Sequence, residues 1–261
     1  MLIISGVLIA LALSSWWFQR VAFSPSNESD VALSILGDEQ IRSEIATIVA
    51  SADAPELNQS PTELKEFIEE IARIPAGAAL MTDFVTSAHR MLIGQIDGPV
   101  LITAGEQVTI VRDERVGQMP PITLPIQEVS SLSTIDSAAG WVTLGSLVLG
   151  ALSLIIGLIL RPERGEAMFA LGVALAALAI LLVILGYLVP LLALPALSES
   201  TWMSVFPRLA NHNRNLTLAL AVGALAVGAF VTLGSGRRRE RRQPSTPLSV
   251  GRYRDDRSWG R

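Results

Sequence analysis

The chain has no cysteine among its 261 residues. That absence excludes disulfides, thiolate metal sites and thiol nucleophiles together. Histidine is nearly absent as well: His89 and His212 are the only two, far apart in the chain, and without cysteine they make no transition-metal site. Lysine occurs once, at Lys65, so positive charge is carried almost entirely by arginine. Charge is also missing from four long apolar stretches: Leu2–Phe18, Ala139–Leu160, Ala167–Leu194 and Asn215–Leu233 contain no Asp, Glu, Lys, Arg or His. Ionisable groups inside membrane spans usually mark proton relays and ion paths, so their absence argues against a pump or a coupled transporter acting alone. No residue pattern requires a cofactor, and none is expected.

Those uncharged stretches define the class. Ala139–Leu160 and Ala167–Leu194 each exceed the roughly 20 apolar residues needed to cross about 30 Å of hydrocarbon, and only Arg161–Glu166 separates them. With Asn215–Leu233 behind this hairpin and Leu2–Phe18 before it, a mainly α four-transmembrane-helix protein is expected. Its domains would be a first span at 1–19, an extracytoplasmic domain at 20–138, a three-helix bundle at 139–235 (spans 139–160, 167–194 and 215–235), and an arginine-rich, disordered tail at 236–261. Leu2–Phe18 lacks the basic n-region of a signal peptide, so an uncleaved anchor is favoured over a cleaved signal. Residues 20–138 carry 7 basic and 18 acidic side chains, net −11, whereas 236–261 carry 9 Arg against 3 acids, net +6. Arg237, Arg238, Arg239, Arg241 and Arg242 directly follow the last span, which places the C-terminus in the cytoplasm. Four crossings then put the N-terminus inside and 20–138 outside.

The extracytoplasmic domain reads as helical. After a polar spacer at Val21–Asp30, Asp38 can cap a helix over about 39–52 that ends at Ala54-Pro55. Ser60-Pro61-Thr62-Glu63 is a capping-box pattern opening a second helix, 61–74, stopped by Pro75. A third is expected over 76–93. The period then shifts: Val100–Thr103 and Gln107–Val111 flank Ala104-Gly105-Glu106 and predict a β-hairpin over about 99–111. Pro120, Pro121 and Pro125 predict an extended return over 118–137.

Several residues invite a functional reading. Glu66 and Glu70 share a face of the second helix at i, i+4, either as a solvated surface or as a seat for a cation or a basic partner. His89, beside Arg90, is either a structural residue at the edge of the third helix or a ligand or proton switch. Trp202 and Phe206 belong to an amphipathic piece, expected to lie at the membrane interface and broken by Pro207. The arginine block would attract anionic lipid besides setting topology. Nucleic-acid binding is not expected of a membrane-tethered tail with no domain behind it. Residues at helical spacing, mostly small, form seams for close helix packing: Ser146-Gly150-Ser153-Gly157, Gly172-Ala176-Ala179-Val183-Gly186 and Ala219-Gly223-Ala226. One such face remains available for a protein partner or a second copy.

The order of an N-terminal anchor, short helices closing in Ala88-His89-Arg90, then Gly98-Pro99-Val100, a span led by Trp141 and an Arg161-Pro162-Glu163-Arg164 turn resembles a large actinobacterial group. Its members are four-span integral membrane proteins, mostly uncharacterised. The resemblance implies a bacterial plasma-membrane protein of the cell envelope, and it supplies no catalytic residues. The expected function is therefore that of a non-enzymatic accessory or scaffold component of an envelope complex. A sensor or regulator, and a lipid-handling protein using Trp202 and Phe206, are the alternatives.

Overall fold

The computed structural model describes residues 1–24, 29–160 and 164–240. Four helices are long and apolar enough to cross a membrane, as a multi-pass membrane protein requires: α1 (Leu2–Ala22), α8 (Ser130–Ile159), α9 (Arg164–Val183, continued by a π-helical segment Ile184–Ala193), and α11 (Arg214–Glu240). Between α1 and α8 lies a module of shorter helices: α2 (Ser29–Leu36), α3 (Glu39–Leu57), α4 (Pro61–Arg73), α5 (Pro75–Leu80), α6 (Thr82–Leu92) and α7 (Ala104–Val111). Strands β1 (Val100–Ile102) and β2 (Ile122–Leu124) pair antiparallel, Val100 opposite Leu124. A final short helix, α10 (Val205–His212), precedes α11.

The bundle is organised around α1, the most enclosed of the four long helices. It runs antiparallel to α8: Ser5 Oγ donates to Gly150 O at 2.8 Å, Ser15 Oγ to Ala139 O at 3.1 Å, and Gln19 Nε2 to Asp136 O at 3.0 Å. A polar side chain in an apolar region has few partners besides a backbone carbonyl, so these three bonds fix the register of the pair. The same small-residue logic sets the backbones close. A Cβ added to Gly150 would meet Ile9 and Leu8, and one added to Gly157 would meet Leu2. On the other flank α9 lies against α11, where a Cβ on Gly172 would collide with Thr232. The seams on α8 and α9 are thus consumed inside the chain. The third seam is not the one that packs: Ala219, Gly223 and Ala226 face outward, whereas Thr217, Ala221 and Gly228 are buried against α1 and α9.

Within the module, local chemistry explains both the agreements and the departures. Asp38 caps α3 as expected, its carboxylate accepting from Gln40 N and Ile41 N at 3.0 and 3.4 Å. The helix nevertheless passes through Pro55 to Leu57, beyond the expected end at 52. Pro55 is exposed, so the bond it forfeits is lost on the solvated side, while the added turn buries Leu57 before Asn58 stops it in the left-handed conformation. Ser60 makes no capping bond, although Pro61 does begin α4. The single third helix expected over 76–93 is two, α5 and α6, broken at the fully buried Met81. Gly77 permits the tight corner after α4, because a Cβ there would strike the Ile71 carbonyl.

The expected hairpin over 99–111 is replaced by a strand followed by a helix. Thr103 accepts from Glu106 N at 3.3 Å and Glu106 Oε2 accepts from Thr103 N, a capping box that turns Ala104–Val111 into α7. The partner of β1 is β2, inside the proline-bearing stretch expected to be an extended return. That stretch is helical from Ser130 onward, so α8 starts nine residues before the expected span. Ser29–Leu36, read partly as spacer, is α2, with Val31, Ala32, Ile35 and Leu36 buried.

Candidate functional site

Module and bundle meet at one joint, and His89 lies at its centre. The last carbonyls of α1 have no helical partner and must be satisfied from outside the helix. His89 Nε2 lies 3.0 Å from Ala22 O, and Gln95 Nε2 donates to Phe23 O at 2.9 Å. The bond assigns the proton of His89 to Nε2, while Nδ1 is buried without a partner. Its ring stands edge-on to Phe206, which in turn lies 6.2 Å from Phe23. Burial holds the His89 imidazole down to about pKa 4, aided by the neighbouring Arg90 charge and opposed by the Ala22 bond. His89 is therefore neutral and enclosed, not at the helix edge as the sequence pattern indicates. Arg90 is half-buried beside it.

The segment after the π helix completes the joint, and here the sequence reading needs correction. Trp202 and Phe206 do not form an apolar face turned to a bilayer: both are buried in the common core, at 1% and 0% exposure. Pro207 sits in the first turn of α10, where a missing N–H costs nothing, and does not break it. Trp202 Nε1 donates to Glu44 Oε1 at 3.3 Å on α3. Arg208 pairs with Asp38 at 3.2 Å, and Ser34 Oγ donates to the Arg208 carbonyl. One continuous core thus runs from Phe18, Ala22 and Phe23 on α1 through the module to Trp202, Phe206 and Leu209. Lower down, Trp17 Nε1 donates to Thr217 Oγ1 at 3.0 Å, with Gly186 of the π segment against the indole.

On the far side of the module the surface is open. Glu66 and Glu70 are exposed on α4, and Lys65 pairs with Glu69 at 3.8 Å. Between them Phe67 is 38% exposed. Next to it a cleft of about 480 Å³ opens between α4 and the end of α7, with Leu57, Leu64 and Phe67 as its apolar floor and Glu63 and Arg112 on its rim. Arg112 holds a left-handed backbone, φ 60°, as the cap of α7. Arg115 donates to both carboxylate oxygens of Asp113, which holds that carboxyl below its usual range. The exposed pairing of Phe67 with acidic neighbours is legible only once the α4 face is known.

Asp53, on the buried face of α3, was not signalled by the sequence. Neither of its carboxylate oxygens has a hydrogen-bond partner, and burial raises its pKa to about 6. Among the described residues no three His, Asp or Glu side chains come together as a metal site. His212 is exposed at the end of α10. Arg237, Arg238 and Arg239 lie on the last turns of α11, whereas Arg241 and Arg242 fall outside the described residues. Comparison with family models, with curated proteins and with solved structures finds no match.

Proposed function

We propose that the protein is an accessory or scaffold component of a bacterial cell-envelope complex, which holds its helical module against the outer face of the plasma membrane as a fixed platform for a protein partner. The observation that carries this reading is the continuous core across the joint. A module fastened to the bundle through α1, through α10 and by the Asp38–Arg208 and Glu44–Trp202 contacts is held at several points at once. Such an arrangement suits presentation of a surface more than transmission of a movement, which weighs against the sensor alternative. The lipid-handling alternative loses its two named residues, since Trp202 and Phe206 are committed to the core.

The orientation belongs to the proposal. Arg237–Arg239 follow the apolar part of α11, and an arginine block beside a span marks the cytoplasmic side. Both termini then lie in the cytoplasm and the acidic module outside. The surface offered to the partner is the outward face of α4, where Phe67 stands among Glu63, Glu66 and Glu70 beside the cleft rimmed by Arg112. A partner segment with one apolar anchor and flanking basic residues matches it.

Mild-detergent extraction from native membranes, followed by quantitative mass spectrometry of the co-purified polypeptides, tests the reading. A stoichiometric partner is expected, lost on Glu66→Lys/Glu70→Lys or on Phe67→Ala while the chain itself remains folded. Recovery of the chain alone, or of a partner indifferent to all three changes, contradicts it.

A further inference from the structure

We propose that the cleft between α8 and α9 seats one acyl chain of an anionic phospholipid, drawn from the leaflet on the side of the bundle away from the module. Both helices pack along α1 but barely touch one another, and the gap between them forms a cavity of about 370 Å³. Its deepest part holds small residues, Gly6 and Ala10 on α1 and Ala170 and Ala174 on α9, with Leu2, Ile9 and Leu13 of α1 completing the lining on that side. Its walls are leucines, Leu154 and Leu158 facing Leu171 and Leu178. Small floor and tall walls make a trough. The one polar side chain along it, Ser5, spends its hydroxyl proton on Gly150 O and offers the occupant nothing polar.

The dimensions select the occupant. The trough follows α1 from Leu2 to Leu13, roughly 17 Å at 1.5 Å per residue. Half of a hydrocarbon core of about 30 Å is about 15 Å, so the trough has the depth of one leaflet. A helix from a second copy, about 10 Å across, fills 370 Å³ in less than one turn and is too wide to follow the trough along its length. Only a thin, flexible chain fits the length and the cross-section together. Inside a bilayer there is no hydrophobic gain from entering the trough, because the surroundings are already apolar. The attraction comes from dispersion contacts with walls that otherwise border a void.

The headgroup end fixes the charge. The trough opens near Leu2, Leu158 and Ala167, and Ala167 lies one turn after Arg164, where α9 begins. Gly228 and Thr232 of α11 pack at the level of Gly172, which brings the backbone of Arg237–Arg239 down to the level where α9 starts. By sequence, this end carries Arg164 and Arg237–Arg239 against Glu166 and Glu240, an excess of positive charge that favours a phosphate without a compensating cationic group.

The test uses the full chain, delipidated in mild detergent and supplied with phosphatidylglycerol or phosphatidylcholine of matched chains, with bound lipid counted by native mass spectrometry. One phosphatidylglycerol per chain is expected, with phosphatidylcholine held at least ten-fold less. Ala167→Trp and, on the opposite wall, Leu158→Trp should each reduce occupancy ten-fold or more. Leu152→Trp, on an exposed face of α8 outside the trough, should leave it unchanged. No retained lipid, equal retention of both lipids, equal loss in all three variants, or a dimer that dissociates on Ala167→Trp would each overturn the proposal.

Discussion

At the scale of residues, two buried titratable groups act against each other over the same pH range. His89 has a folded pKa of about 4 against 6.5 for the ordinary imidazole. Between those values the unfolded chain binds more protons, so the contribution of His89 is fully present above 6.5 and is lost as pH falls towards 4. Asp53 is raised from 3.8 to about 6, so the folded chain binds more protons there, and its contribution is lost as pH rises through that range. The two shifts are of similar size, roughly 3 kcal/mol each at 1.36 kcal/mol per unit, with opposite sign. Thermal unfolding of the wild type should therefore depend weakly on pH between 4 and 6. His89→Gln should leave a protein that becomes less stable as pH rises, and Asp53→Asn one that becomes less stable as pH falls. At pH 7 Asp53→Asn should raise Tm, because it removes an unpaired buried charge. His89→Ala, which also strips the Ala22 carbonyl of its donor, should cost about 1–3 kcal/mol at that pH.

At the scale of elements, what the sequence made legible was whatever depended on neighbours in the chain. Asp38 before Ile41 and Ile45, and Pro61 at the start of α4, are local signals, and both helices begin where those signals stand. The capping pattern at Ser60 forms no bond, whereas the unremarked Thr103–Glu106 pair does. An alternating run such as Val108-Thr109-Ile110-Val111 carries no label saying whether it lies in a strand or in a short helix, and the cap five residues upstream decides. Thr103→Ala should accordingly lower stability by about 1 kcal/mol and loosen α7 in hydrogen exchange without disturbing the bundle. The fate of Trp202 was not legible at all, since an interfacial aromatic and a core aromatic have the same sequence signature. Its place in the core, with its indole N–H on Glu44, is set by residues far earlier in the chain. Trp202→Ala should cost about 3–5 kcal/mol in thermal unfolding and release the turn before α10 from α3, with no selective loss of bound lipid.

At the scale of the whole molecule, four apolar helices were plain from hydropathy, because length and lack of charge suffice. Their arrangement was only half legible. Small-residue spacing identified faces on α8 and α9 that do pack, yet on α11 it marked the outward face, since two small seams on one helix look alike until a neighbour chooses between them. Gly172→Leu should separate α9 from α11 and reduce the yield of folded protein, whereas Gly223→Leu should be tolerated unless a partner occupies that face. The candidate surface was legible in its acids and not in its Phe67, whose exposure depends on which side of α4 meets α3.

The central claim is that module and bundle form one fixed body. A chain without cysteine allows two labels to be placed freely, and Glu66 on the module and Leu144 on α8 are both exposed. Double electron–electron resonance between nitroxides at Glu66→Cys and Leu144→Cys, in lipid nanodiscs, measures their separation directly. A rigid joint gives a single narrow distance distribution, which broadens when Trp202→Ala is added. A broad or two-peaked distribution in the otherwise wild-type background would contradict it.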